Sequence, residues 1–306
     1  MKLAYVEKHG RRFVAVRKEN MFVDLSRTAL RWEKGLTELL ASGPEGLALA
    51  RSASSGADDS ALVDPAAVTY LRLNEPQCIT CVGSNYAAHI RERGKPFPTE
   101  PSCFMKTLSS FVAHRQPIER PANSEQFDYE AELVIVIGRA GRYVPLERAL
   151  EFVAGYTLMN DGSLRDFQER YNSVTLGKNF PASSALGPEM VTADEVPPGA
   201  HGLRIATRVN GITVQDSTTA DLVFDVPMLV SLVSHTVGLR PGDLIATGTP
   251  SGVAAGMTPQ RWLKAGDAIE MSIEGICTLS NPVVDSQAPA QGHGYNRAAY
   301  APKVAR

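Results

Sequence analysis

The stretch Phe127-Asp128-Tyr129-Glu130-Ala131-Glu132-Leu133-Val134-Ile135-Val136-Ile137-Gly138 constrains this chain more than any other. Leu133 to Ile137 is apolar and rich in β-branched residues, and Gly138 ends the run, so the pattern predicts a buried strand. Side chains alternate faces along a strand, which sends Glu130 and Glu132 to one side and Ala131, Leu133 and Ile135 to the other. Two carboxylates roughly 7 Å apart at the mouth of an apolar strand repel each other unless a positive charge lies between them. The pair alone leaves two readings. It is either a solvated strand end or the start of a site for a hard divalent cation, which favours oxygen ligands.

A second stretch bears on that choice. Gly155-Tyr156-Thr157-Leu158-Met159 is a short apolar run that ends in the turn residues Asn160-Asp161-Gly162-Ser163. This places Asp161 at a strand end, with Arg165 and Gln168 following at helical spacing on one face. A third carboxylate, a guanidinium and an amide beside a cation would suit an anionic, oxygen-rich ligand. Upstream, Cys81-Val82-Gly83-Ser84-Asn85 reads as a strand and turn leading into a short helix, where His89 and Glu92 face each other at i and i+3. A carboxylate beside an imidazole fixes its orientation and raises its basicity, as a general base needs, although such surface pairs also arise incidentally.

Asp128-Tyr129-Glu130-Ala131-Glu132, Asn160 through Gln168, Gly177-Lys178-Asn179-Phe180, Pro241-Gly242-Asp243 and Thr247-Gly248-Thr249-Pro250-Ser251-Gly252 together resemble the fumarylacetoacetate hydrolase superfamily. The resemblance runs from about Cys81 to Val284 and points to the shorter bacterial members, of the acylpyruvase or 2-hydroxyhepta-2,4-diene-1,7-dioate isomerase kind. It implies a mixed β fold with some α: a β-roll catalytic domain over 73–285, a small N-terminal α+β domain over 1–72, and a homodimer. It also implies that Glu130, Glu132 and Asp161 hold Mg²⁺ or Mn²⁺ (Ca²⁺ being possible in crystals) and that His89 and Glu92 form a catalytic dyad. Lys178 would stabilise negative charge, with Arg165 and Gln168 on the substrate. The Gly248 turn and the Thr249 hydroxyl make a cradle for a carboxylate. The activity expected is hydrolysis of a carbon–carbon bond in an acylpyruvate-like β-diketo acid. Decarboxylation of oxaloacetate, or isomerisation of a hydroxydienoate, is the alternative on the same platform. The larger members carry a further aspartate ligand upstream of the histidine; Val82-Gly83-Ser84-Asn85 lacks it, which argues against fumarylacetoacetate itself as substrate.

Other features exclude more than they assign. A net charge of −2 gives no electrostatic case for nucleic acid or an anionic membrane. No apolar run approaches the ~20 residues of a membrane span, and the N-terminus turns charged too early for a secretory signal, so a cytoplasmic protein is expected, while the resemblance implies a small keto-acid substrate. Cys78-Ile79-Thr80-Cys81 has C-x-x-C spacing without a second ligand pair, and both thiols are read as strand packing. The first forty residues predict a strand meander followed by a helix over Ala29 to Leu40 that Ser42-Gly43-Pro44 stops, and Ala48 to Asp59 reads as a linker or surface excursion. Lys106 ends a short strand, as a solvated cation or as a substrate contact. Leu146–Val153 and Val226–Val237 read as helices, Asn210-Gly211 as a hairpin turn, and 286–306 as a flexible tail. Arg91, Arg93 and Tyr171 are the candidate lid and wall residues.

Overall fold

In the computed structural model, which describes residues 1–28, 32 and 34–287, the apolar run forms the strand Ala131–Ile137, buried along its whole length. Its side chains feed two cores on opposite sides of the sheet. Ala131, Leu133, Ile135 and Ile137 join Tyr156 and Leu158, whereas Val134 and Val136 join Ala154 and Met159. A strand covered on both faces needs an unbroken apolar sequence, which is why the run does not alternate with polar residues.

This strand lies antiparallel between Val153–Asn160 and Leu244–Ala246. Leu244–Ala246 in turn runs parallel to Ile79–Gly83, with Ser102–Met105 beyond it. In the other direction the sheet continues through Glu189–Thr192 to Lys2–Lys8, Arg11–Lys18 and Met21–Asp24. The N-terminal meander therefore extends the central sheet, Leu3 standing opposite Met190. A second sheet carries the hairpin Arg204–Val209/Ile212–Thr218 with Ala268–Ile273 and Cys277–Asp285. Its Ile205, Ile269, Met271 and Leu279 pack into the core that holds Leu133 and Ile135. The Asn210-Gly211 turn has φ of 52° and 79°, the left-handed pair a two-residue hairpin needs. The architecture is mixed and sheet-rich with few helices, as the sequence leads one to expect.

The expected linker at Ala48 to Asp59 is instead helical: a helix spans Gly43–Ser55 and packs Ala50 into the core. Alanine is the best helix former, and Pro44 in the first turn starts this helix as readily as it ends the one before it. Of the helix expected over Ala29 to Leu40, the described part is Leu36–Ala41, and 29–31 lie outside the described residues. The C-terminal segment likewise lies outside the described residues from residue 288 on. Leu146–Phe152 is a 3₁₀ helix, and Val226–Thr236 is an α-helix capped by Asp225. Among the described residues no helix is long and apolar enough to cross a membrane.

Register brings the acidic segments together. Ala131 pairs with Asn160 at the end of the two central strands, and the Asp161 amide donates to the Glu130 carbonyl at 2.8 Å. Ile79–Gly83 and Leu244–Ala246 end at the same edge and deliver the helix Ala87–Glu92 and the Gly248 turn there.

Candidate metal centre

Glu130, Glu132 and Asp161 are all buried, and each offers a carboxylate oxygen within 4.8 Å of the others. The solvated-strand-end alternative is thus excluded by burial. Arg165 donates to Glu130 Oε1 at 2.5 Å, and Lys178 Nζ bridges Glu130 Oε2 at 2.5 Å and Asp161 Oδ2 at 2.6 Å. Glu132 accepts the Gly248 amide at 2.9 Å. These partners split the carboxyls electrostatically. Burial pushes Glu130 up, but Lys178 and then Arg165 outweigh it and hold its pKa at about 2. Glu132 is driven well above the usual range, by burial first and then by Asp161 and Glu130, with only partial relief from Lys178 and the Gly248 amide. Burial alone would lower the Lys178 ammonium; Asp161 and Glu130 raise it instead.

This donor set fits a hard divalent cation. Three buried carboxylates converge, and burial together with its acidic neighbours Asp161 and Glu130 pushes the Glu132 carboxyl up, a strain that added positive charge would relieve. In addition, buried Asp161 Oδ1 has Lys106 Nζ, 2.7 Å away, as its ion-pair partner and no further hydrogen-bond donor, which leaves it room for a cation.

The cluster opens into a cavity of about 410 Å³ lined by His89, Glu130, Glu132, Arg165, Gln168, Lys178 and Thr249 among others. His89 Nδ1 lies 2.8 Å from Glu92 Oε2, and Glu92 Oε1 accepts the Gly252 amide at 2.8 Å. Burial raises the Glu92 carboxyl, yet the bonds from His89 and Gly252 bring it below the usual range. Gln168 Oε1 accepts from Arg165 at 3.2 Å, as their helical spacing predicts. The structure therefore brings seven of the ten sequence-predicted residues into the wall of one cavity, and Glu92, Asp161 and Gly248 hydrogen-bond to members of that wall. A larger cavity of about 870 Å³ near Lys2, Arg17 and His114 contains none of them, so volume is a poor guide to the chemistry here.

Three expectations need correction. The Gly248 amide is committed to Glu132 and does not face the cavity as a carboxylate cradle, leaving Thr249, which accepts from Gln215 at 2.9 Å, as the cavity-lining part of that turn. Gly248 has φ of 93° and sits 3.0 Å, as a notional Cβ, from the Val82 carbonyl, so the turn needs glycine for both reasons. Lys106 is neither solvated nor in the cavity wall: it is buried behind Asp161. Of the candidate wall residues, Arg93 lines the cavity and is joined by Lys95, whereas Arg91 stacks on Phe97 and Tyr171 lies outside the lining.

Sequence reasoning also missed Asp128, which is fully buried and ties the site to its surroundings. It accepts from Arg165 Nε at 2.9 Å and from the Ala254 and Ala255 amides at 2.8 and 3.1 Å. Its sequence signals were its place at i−2 from Glu130 and at the head of the Asp128-Tyr129-Glu130-Ala131-Glu132 motif. Asn85, in the stretch that lacks the further aspartate of the larger members, spends its amide on the Thr247 and Phe224 carbonyls at 2.8 and 3.0 Å. Gly162, beside Asp161, would put a Cβ 1.8 Å from the Ser183 carbonyl. Gly162→Ala is accordingly expected to cost about 2 kcal/mol or more of stability, read by urea unfolding.

The family model for the fumarylacetoacetate (FAA) hydrolase C-terminal domain matches residues 78–284. A mitochondrial oxaloacetate tautomerase, FAHD2A of Bos taurus, is 38% identical over 265 residues, covering 86% of this chain and 83% of its own. A solved fumarylacetoacetate hydrolase from psychrophilic Exiguobacterium antarcticum is 35% identical with a TM-score of 0.82, covering 94% of this chain and 100% of its own. A 5-carboxymethyl-2-hydroxymuconate delta-isomerase from Mycobacterium smegmatis is 30% identical with a TM-score of 0.74 at the same coverage. From the match over most of its length, the ordered motifs and these relatives, the chain belongs to the fumarylacetoacetate hydrolase family.

Proposed function

We propose that this protein is a metal-dependent enzyme acting on the enol and keto forms of a small 2-oxo acid, with oxaloacetate-type keto–enol tautomerisation as its first activity. The observation that carries the reading is that His89, held from behind by Glu92, lines the same cavity as Glu130 and Glu132 of the carboxylate cluster, and that the wall of this cavity also holds Arg93, Lys95, Arg165 and Lys178. Such a wall suits an anion. The 38% identity to an oxaloacetate tautomerase supports placing tautomerisation ahead of the hydrolysis that the sequence motifs first suggest.

Glu130, Glu132 and Asp161 would hold Mg²⁺ or Mn²⁺, and that ion, when bound, would draw charge from the ketone oxygen. Glu92 engages Nδ1 of His89 and leaves Nε2 as its basic nitrogen. The imidazole takes a proton from the carbon next to the ketone, and charge moves to the ketone oxygen, which receives its proton from solvent. In the reverse direction the imidazolium, held by Glu92, returns a proton to carbon. Lys178 and Arg165 keep Glu130 ionised and hold it in place.

Hydrolysis of an acylpyruvate is the second reading, favoured by the same dyad, because a base that removes a proton from carbon also activates a water. A panel of oxaloacetate, acylpyruvates and hydroxydienoates with Mg²⁺ or Mn²⁺, followed by loss of enol absorbance and by product analysis, tests both. Keto–enol exchange accelerated without bond cleavage is the expected result. Cleavage of an acylpyruvate with no acceleration of tautomerisation would replace the first reading by the second.

A further inference from the structure

Lys106 is a buried cation that the proposed chemistry does not use. Its side chain is fully inaccessible, its Nζ lies 2.7 Å from Asp161 Oδ1, and it donates to Ser184 Oγ at 3.0 Å and to the Lys178 carbonyl. The lysine ammonium carries three donors and no acceptor, which matches three oxygens around one nitrogen. It is absent from the cavity lining, so it reaches the substrate only through its field.

The charges of the site close on this residue. Arg165 and Asp128 offset each other as a pair. Glu130, Glu132 and Asp161 against Lys178 alone leave two negative charges, which a divalent ion brings to zero. With Lys106 the cluster stands at one negative charge, and the ion-loaded site becomes cationic by one. Charges this close interact strongly in a buried site, where little water screens them.

We propose that Lys106 sets the charge of the loaded centre: it loosens the hold on the divalent ion and makes the ion-loaded site a receptor for a carboxylate-bearing or enolate-like anion. This rests on the metal reading given above but not on which reaction follows. In the full-length protein, Lys106→Met is expected to bind Mn²⁺ roughly tenfold tighter than the parent and, once loaded, to bind oxalate roughly tenfold more weakly, both by calorimetry. Ser184→Ala keeps the charge while removing the hydrogen bonds that Ser184 Oγ accepts from Lys106 at 3.0 Å and from the Gly162 amide at 3.1 Å, and both affinities should stay within about threefold of the parent. Lys106→Gln serves as the neutral variant if the methionine variant fails to fold by circular dichroism.

Weaker or unchanged Mn²⁺ binding in the neutral variant would overturn the proposal, since a lysine that merely holds Asp161 in place predicts a loss. Tighter Mn²⁺ with unchanged oxalate would overturn its anion half. An equal shift in Ser184→Ala would reassign Lys106 to positioning. A parent that binds no Mn²⁺ would remove this proposal together with the metal reading, whereas a parent that binds Mn²⁺ but turns over no keto acid would remove only the reaction.

Discussion

His89→Ala is expected to lower turnover by about 10²- to 10⁴-fold while leaving the response to metal intact. The imidazole is the one group in the cavity wall whose second nitrogen is already oriented by a carboxylate, Glu92, which is itself anchored by the Gly252 amide. It makes no contact with Glu130, Glu132 or Asp161 that would hold them, since their hydrogen-bond partners are Arg165, Lys178 and Gly248. Steady-state kinetics on the substrate panel, set beside the rise in melting temperature on adding Mg²⁺, separates the two effects. A variant that keeps parental turnover places the base elsewhere.

Glu132→Gln should do the reverse, removing the metal response and keeping the fold. Glu132 is the carboxyl that burial and its two acidic neighbours push furthest up, so in the metal-free protein it contributes repulsion rather than attraction. Glutamine has the same shape and still accepts the Gly248 amide. The metal-free variant is therefore expected to melt at or above the parental temperature. The parent gains about 2.7 kcal/mol at a metal concentration 100 times its dissociation constant, and the variant should gain almost none of it. An undiminished Mg²⁺ titration would strike Glu132 from the ligand set. Loss of the metal-free fold would show that the carboxyl is structurally required, against its position in the field of Glu130 and Asp161.

Several parts of this protein are written in short segments of the chain. A period of two puts Glu132 and, just before the strand begins, Glu130 on one side of the chain, and an i, i+3 spacing puts His89 against Glu92. The Asn210-Gly211 pair requires left-handed backbone and makes its hairpin without help from elsewhere. These features depend on neighbours a few residues away, and local stereochemistry decides them.

Other parts depend on which strands lie side by side. The segment Ala48 to Asp59 looks like a linker by composition and becomes helix because Ala50 finds a core to enter. Asp128 looks like one more turn residue until the Ala254 and Ala255 amides and Arg165 arrive from distant segments. Lys106 has the sequence context of a strand-end surface lysine, and only its packing behind Asp161 makes it part of the charge balance.

The sequence by itself determined the family, the central strand and the residue types that converge on the site, because each rests on local spacing. Tertiary structure alone decided that the Gly248 amide serves Glu132, that Lys106 is buried, and that the N-terminal strands extend the central sheet. The physical reason is that burial and charge pairing are properties of neighbours in space, and sheet register chooses those neighbours from segments far apart in the chain.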